Sequence, residues 1–389
     1  MSFHGKAYIA GIYEHPLRRA DGVSTIQLHA DVAHGALLDA GLQLSDVDGY
    51  FCGADAPGIG GMGVAEHIGL TGLRYMDSTE TGGSSYLLHV SHAAKAIAAG
   101  HCNVALVTMA DRPLAGKAGA GLAGVDMSQS IDRTFVTAAP KGAVNGYAMV
   151  AKRHMFEYGT TPEQLAWVRV AASHHAQHNP NAMRREVVTV ADVLASPMIA
   201  DPLHRLDCCV VSDGGGAVVV VRPEIARQLM RPKVKVIGAA EAFKHSNGGR
   251  IDLTYSAGAW SGPKAFEEAR VSHSDIGYAS LYDSFTITVI VQLEDLGFCK
   301  KGEGGRFVMD GNLISGVGRL PFNTDGGGLC NNHPGNKGGM TKILEAVRQC
   351  RGEAHPAVQV KNHEIVLAHG TGGSLAGAHM AGTLILQAE

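Results

Sequence analysis

The order of elements at the start of the chain returns after residue 233, which constrains the fold to two similar halves. "KAYIAGI" (Lys6–Ile12) and "KVKVIGAA" (Lys233–Ala240) both read as buried strands. After the first comes "TIQLHADVAHGALLDAGL", with apolar residues at three- and four-residue spacing, a helix signal. It leads into "LSDVDGYFCG"; the second half offers "GPKAFEEARVSHSDIGYASLYDSF". Ser45-Asp46-Val47 and Ser274-Asp275-Ile276 occupy matching places, as turn residues between a helix and a strand. The echo continues through two glycine turns, each followed by a helix: "STETGGSSYLLHVSHAAKAIAAG" and "NTDGGGLCNNHPGNKGGMTKILEAVRQ". A strand follows each, at Asn103–Ala110 and Glu364–Gly370. Two βαβ-type halves are predicted, each a mostly parallel sheet with covering helices.

About a hundred residues between "NVALVTMA" and "DGGGAVVVV" break this alternation. They are expected to form an insertion, about residues 112–205, over a substrate entrance. Within it Thr161 and Pro162 read as the cap and first position of a helix. The halves are therefore drawn as 1–232, insertion included, and 233–389.

A charged content of 18% and a net charge of −3 suit a compact soluble enzyme and give no reason to expect nucleic acid. The seven cysteines lack any C-x-x-C spacing, which fits free thiols in a reducing cytoplasm. The start "MSFHGKAYIAGIY" lacks the long apolar run of a signal peptide, and no run approaches a membrane span of about 20 residues.

The most specific stretch is "NTDGGGLCNNHPGNKGG" (Asn323–Gly339), where two glycine clusters bracket His333-Pro334. Glycines let backbone approach a ligand, and a histidine held among them suits general acid–base chemistry near neutral pH. "HGTGGSLAG" follows a buried strand and offers the backbone of Gly372 and Gly373 as an oxyanion pocket. "LYDSF" sets Tyr282 and Asp283 at a strand's C-terminal edge, where α/β sites lie, with Asp283 on the strand's other face. His174 and His178 sit one helical turn apart beside His175, yet no acidic or cysteine partner completes a metal site, and none is expected. "GAGLAG" (Gly119–Gly124) lacks the Lys-Ser/Thr ending of a phosphate loop.

These blocks resemble the thiolase superfamily over nearly the whole chain. "NTDGGGLCNNHPG" is similar to the family's Asn-x-Asn-Gly-Gly…Gly-His-Pro block, with Asp325 for the second Asn and Asn332 for the Gly. The resemblance implies that His333 is the catalytic histidine. "YDSF" is similar to the Asn-Glu-Ala-Phe block and closer to the His-Asp-x-Phe form of the sterol-carrier-protein-x branch. Tyr282 then takes the active-site Asn or His position, and Asp283 that of the following acid. "GTGG" resembles Cys-x-Gly-Gly, with Gly370 at the acid/base cysteine and Gly372 as the oxyanion glycine. "TETGGSSYLLHV" aligns with the nucleophile turn Cys-x-x-Gly: Gly83 matches the glycine and Glu80 stands where the cysteine belongs.

A thiolase-like fold of two duplicated halves, layered sheet and helix, is thereby implied, with a homodimer. Both family cysteines are missing, so the expected reaction makes or breaks a carbon–carbon bond beside a CoA thioester without an acyl-enzyme. Thiolase-like aldolases of lipid metabolism, acting on CoA thioesters of steroid side chains, do this. In that branch, the resemblance implies, tyrosines serve as acid/base groups and a small OB-fold protein binds alongside. The expected site is His333, Tyr282, Asp283 and Glu80 as catalytic groups, with Gly372, Gly373, Gly83 and Cys330 at the substrate. Coenzyme A enters as part of the substrate and no separate cofactor is expected. Two alternatives stay open: an acyltransferase with its thiol relocated to Cys330, and a non-catalytic acyl-CoA-binding subunit.

Overall fold

The computed structural model describes residues 4–115, 143–247, 250–335 and 337–389. The first half runs β1 (Tyr8–Glu14), α1 (Thr25–Ala40), β2 (Gly49–Phe51), α2 (Gly61–Ile68), β3 (Tyr75–Asp77), α3 (Ser85–Ala98) and β4 (Val104–Asp111). The described part of the insertion holds α4 (Ala143–Tyr158), α5 (Pro162–Ala176), α6 (Val190–Ala195) and the small hairpin β5 (Met198–Ala200) and β6 (Leu203–His204). Then come β7 (Gly214–Val221) and α7 (Pro223–Ala226). The second half runs β8 (Val234–Lys244), α8 (Gly258–Ala269), β9 (Tyr278–Leu281), α9 (Thr286–Asp295), α10 (Gly304–Phe307), α11 (Gly327–Cys330), α12 (Gly339–Arg351), β10 (Ile365–Gly373) and β11 (His379–Ala388).

One nine-stranded sheet, β3-β2-β4-β7-β1-β8-β11-β10-β9, carries the duplication, and it is mixed rather than mostly parallel as expected. Only β3–β2, β2–β4 and β10–β9 pair parallel, while the five central neighbour pairs are antiparallel because β7 and β11 return beside the first strand of each half. Read inward from either end the order is the same, and the halves meet where β1 pairs β8 at Tyr8↔Lys235 and Ile9↔Val234. The second half has four strands, one fewer than the first. Its missing outer strand survives as a single parallel bridge, Ala279↔Phe322. Pro321 offers no amide hydrogen to extend that ladder, and the side-chain amide of Asn323 replaces it. Asn323 accepts from Leu281 N–H at 2.9 Å and donates to Leu281 C=O at 2.8 Å.

The paired turns have the same chemistry. Asp46 accepts from the backbone N–H of Gln43 at 2.8 Å, and Asp275 from that of Ser272 at 2.7 Å. Each carboxylate thereby closes a capping box.

Helix α1 covers β1, β7 and β4 from outside, and α8 covers β8 and β11. Helices α3 and α12 lie between, each touching strands of both halves. Their position explains their composition. Every residue of α12 except Arg348 is buried, so its polar groups must find partners inside. Lys342 meets Asp283 at 2.7 Å, Glu345 meets Thr324 at 2.5 Å, and Arg351 meets Asp39 at 2.7 Å. In the insertion, α5 begins as expected: Thr161 and Gln164 cap each other, with Pro162 in the first turn. Helices α4 and α5 pack on α9. The stretch Gly119–Gly124 lies outside the described residues.

Candidate active site

A cavity of about 670 Å³ opens between the insertion and the ends of β9 and β10. Tyr282, His333, Gly83, Gly372 and Gly373 line it, together with Tyr147, Ser284, Phe285, Cys208, Cys209, Arg184 and Arg205, which the sequence did not single out.

Tyr282 is the first residue past β9. Its N–H donates to His369 C=O at 3.0 Å, so it stays tied to β10. Its ring lies flat on Gly83: a Cβ there would sit 2.3 Å from Tyr282 Cε2. Only glycine permits that approach. Burial raises the phenol's pKa well above its usual value, and Gly338 backbone is within hydrogen-bonding reach of its oxygen.

His333 follows α11 and meets Tyr282 edge to face, with ring centroids 5.4 Å apart. Its backbone N–H donates to Ser212 Oγ at 3.0 Å, and Ser212 bonds Asn332 at 2.9 Å. Both ring nitrogens are buried without a hydrogen-bond partner among the described residues. The ring lies at the cavity wall with backbone of Gly335 near it, and a neutral imidazole can donate at one nitrogen and accept at the other. Burial lowers its pKa to about 4, with Lys342 acting the same way and Asp283 opposing. At neutral pH it is an uncharged acceptor.

Three expected site residues fall elsewhere. Asp283, on the far face of the strand end, does not line the cavity. Its carboxylate accepts from Gly328 N–H at 2.8 Å, Leu329 N–H at 3.1 Å and Lys342 Nζ at 2.7 Å. Period-two alternation sends it behind Tyr282, where it anchors the α11 turn that delivers His333. These contacts suit a positioning group more than an acid or base.

Glu80 is also absent from the cavity wall. It accepts from Gly82 N–H at 2.6 Å, capping its own turn. Its carboxyl group packs toward Gly53 and Asp55, and Asp55 is held by Lys337 at 2.8 Å. Burial and the neighbouring Asp55 carboxylate raise its pKa.

Cys330 is fully buried away from the cavity, and burial pushes its thiol up to about 11. Burial and a raised pKa both disfavour Cys330 as a relocated nucleophile. The cysteines that do reach the wall are no more nucleophilic: burial pushes Cys208 up to about 12 and Cys209 higher still. A side chain at the second family position would require the Leu87 side chain to shift. A Cβ at Gly370 would lie 2.2 Å from Leu87 Cδ2.

The histidines of α5 are spoken for separately. His175 is buried and accepts from Ser315 N–H at 2.9 Å, and His178 stacks on His355 at 5.0 Å. Among the described residues no group of three or more His, Cys, Asp or Glu is placed to hold a metal ion. No helix among them is long and apolar enough to cross a membrane.

Tyr147 was missed because its place depends on how the insertion folds back. The signal was present: Tyr147, Val150, Ala151 and His154 form one buried face of α4 at helical spacing.

Residues 239–388 match a family model described as thiolase C-terminal domain-like. The steroid side-chain-cleaving aldolase of Thermomonospora curvata is 38% identical over 360 residues, covering 90% of this chain and 91% of that one. An acetyl-CoA acetyltransferase of Methanothermobacter thermautotrophicus is 34% identical, covering 90% and 92%. Among solved structures, the Ltp2-ChsH2(DUF35) aldolase superposes with a TM-score of 0.88 at 34% identity, over 99% of this chain and 98% of that one.

Proposed function

The chain belongs to the thiolase superfamily, in its aldolase branch, and from that premise we propose that the cavity cleaves a β-hydroxyacyl-CoA by a retro-aldol reaction. The enzyme acts on CoA thioesters and makes or breaks a carbon–carbon bond beside the thioester. The carrying observation is that His333 and Tyr282, ring centroids 5.4 Å apart, meet at one cavity while Glu80 and Gly370 stand at the two family cysteine positions.

His333 takes the proton of the β-hydroxyl. The β-oxygen becomes a carbonyl oxygen, the Cα–Cβ bond breaks, and its electron pair enters the thioester as an enolate. Tyr282 is a poor base, because burial keeps its phenol protonated. It is the proton donor on the enolate side. Backbone at Gly372 and Gly373 holds the thioester oxygen as charge develops. Arg184 and Arg205, both exposed at the rim, face the anionic part of coenzyme A. The acyl group lies against Val144, Tyr147 and Phe285, a wall suited to a bulky apolar chain, and the named activity of the T. curvata relative makes a steroid side chain the first class to try. A homodimer and a small OB-fold partner complete the reading, the latter by analogy with Ltp2-ChsH2(DUF35).

The test supplies a β-hydroxyacyl-CoA and, separately, a β-ketoacyl-CoA with free CoA. Release of an aldehyde or ketone from the first is expected, with no acyl-enzyme detectable by mass. CoA-dependent cleavage of the second through a covalent acyl-cysteine would overturn the proposal.

The pH dependence follows from His333. A base must be unprotonated, and its pKa is lowered to about 4, so kcat/KM should stay flat from pH 7.5 down to 5.5. A histidine with an ordinary pKa would give about a tenfold loss across that interval. Circular dichroism at each pH separates titration of the base from unfolding. A limb near 6.5 in folded enzyme would assign the base elsewhere.

A further inference from the structure

We propose that the Tyr147 hydroxyl holds the β-oxygen of the substrate and makes the cavity selective for β-hydroxyacyl thioesters over those lacking that oxygen. The inference rests on the retro-aldol reading above.

Tyr147 comes from α4, in the insertion, and none of the catalytic assignments uses it. Its side chain is buried at the cavity wall, with its ring on Phe285 at 4.5 Å between centroids. Its phenol oxygen lies within hydrogen-bonding reach of the Ser284 side chain. Ser284 Oγ in turn meets Thr288 Oγ1 at 3.1 Å. A phenol that accepts from a serine hydroxyl keeps its own proton to donate. Burial also raises its pKa, to about 12, so that proton stays in place at neutral pH.

The surroundings select the ligand atom. Ala143, Val144 and Phe285 make this side of the cavity apolar, so a substrate oxygen arriving there needs the phenol. Ser284 is two residues beyond Tyr282 on the same loop, so one strand end sets both phenols. The thioester oxygen is already assigned to the backbone at Gly372. The oxygen left for Tyr147 is the one on the β-carbon. Its hydrogen bond draws charge from that oxygen without accepting the proton, which goes to His333.

Tyr147→Phe keeps the ring contact and removes only the hydroxyl. It should lower kcat/KM for a β-hydroxyacyl-CoA by about 10- to 100-fold, the worth of a buried hydrogen bond to a substrate hydroxyl. The inhibition constant of the saturated acyl-CoA of equal chain length, which has no β-oxygen, should stay within about twofold. Ser284→Ala should lower kcat/KM by a few fold with the same constant unchanged, and serves if the first variant does not fold. An unchanged kcat/KM in the folded variants overturns the inference, as does equal weakening of both ligands. Wild-type enzyme that cleaves no β-hydroxyacyl-CoA refutes the retro-aldol reading itself, and this inference with it.

Discussion

Alanine at position 333 is expected to lower kcat/KM for β-hydroxyacyl-CoA cleavage by on the order of 10²–10⁴, the usual contribution of a positioned general base. The same change should not lower the melting temperature in proportion. The His333 ring nitrogens lack hydrogen-bond partners among the described residues, so the imidazole is buried at a cost. An unsatisfied buried polar group costs roughly 1–3 kcal/mol. Removing it offsets the packing lost with the ring. Leucine, which refills the space, should raise the melting temperature while activity stays lost. That opposition between stability and turnover is the mark of a group kept for chemistry. A purely structural histidine would give the reverse: activity per folded molecule retained and stability lost. Tyr282→Phe keeps the edge-to-face contact at 5.4 Å and should cost less, about 10- to 100-fold, as the loss of one hydrogen-bond donor. Calorimetry beside steady-state kinetics checks all three variants.

Asp283→Ala should destabilise the fold by about 3–5 kcal/mol, because it leaves the buried Lys342 ammonium without its carboxylate. Two more groups lose their acceptor, the N–H of Gly328 and that of Leu329. The double variant Asp283→Ala, Lys342→Met removes the orphaned charge and should recover part of the loss. Urea unfolding of the single and double variants measures the difference. A double variant no more stable than the single one would show that the ion pair is not what Asp283 contributes. Because the carboxylate anchors α11, the turn before His333, the single variant should also lose turnover through misplacement of the imidazole. In the double variant, folded at low temperature, part of that loss should persist.

What the sequence disclosed follows from what is local. Asp46 and Asp275 cap turns that close within four residues, so the duplication could be read from spacing alone. His333 stands among glycines that allow close approach and Tyr282 at the end of a strand, and both reach the cavity. The absence of thiols at Glu80 and Gly370 was equally legible. Where Glu80 points was legible only in part: its cap on Gly82 N–H is local, while its approach to Asp55 depends on tertiary packing. Cys330 misled because three residues of sequence separate it from His333, yet a turn of α11 puts it on the buried side. Tyr147 lay in the insertion, whose path over the core no periodicity reveals, and Cys208 and Cys209 in the stretch that returns from it to β7. The missing fifth strand had a readable cause in Pro321, but the side-chain amide of Asn323 standing in for backbone did not.

The shared middle layer also governs how the chain comes into being. The apolar faces of Leu87, Val90 and Val218 are covered in the finished molecule by Met340, Ile343, Leu344 and Val347 of α12. The last strand of the first half ends at Val221, and α12 ends at Arg351. At roughly 5–20 residues per second, the ribosome needs about 6–26 s to make the intervening stretch. Throughout that interval the early half presents an uncovered greasy surface to the cell. Residues 1–232 made alone are therefore expected to be poorly soluble, and co-expression with 233–389 is expected to raise the soluble yield, which sedimentation of the lysate measures.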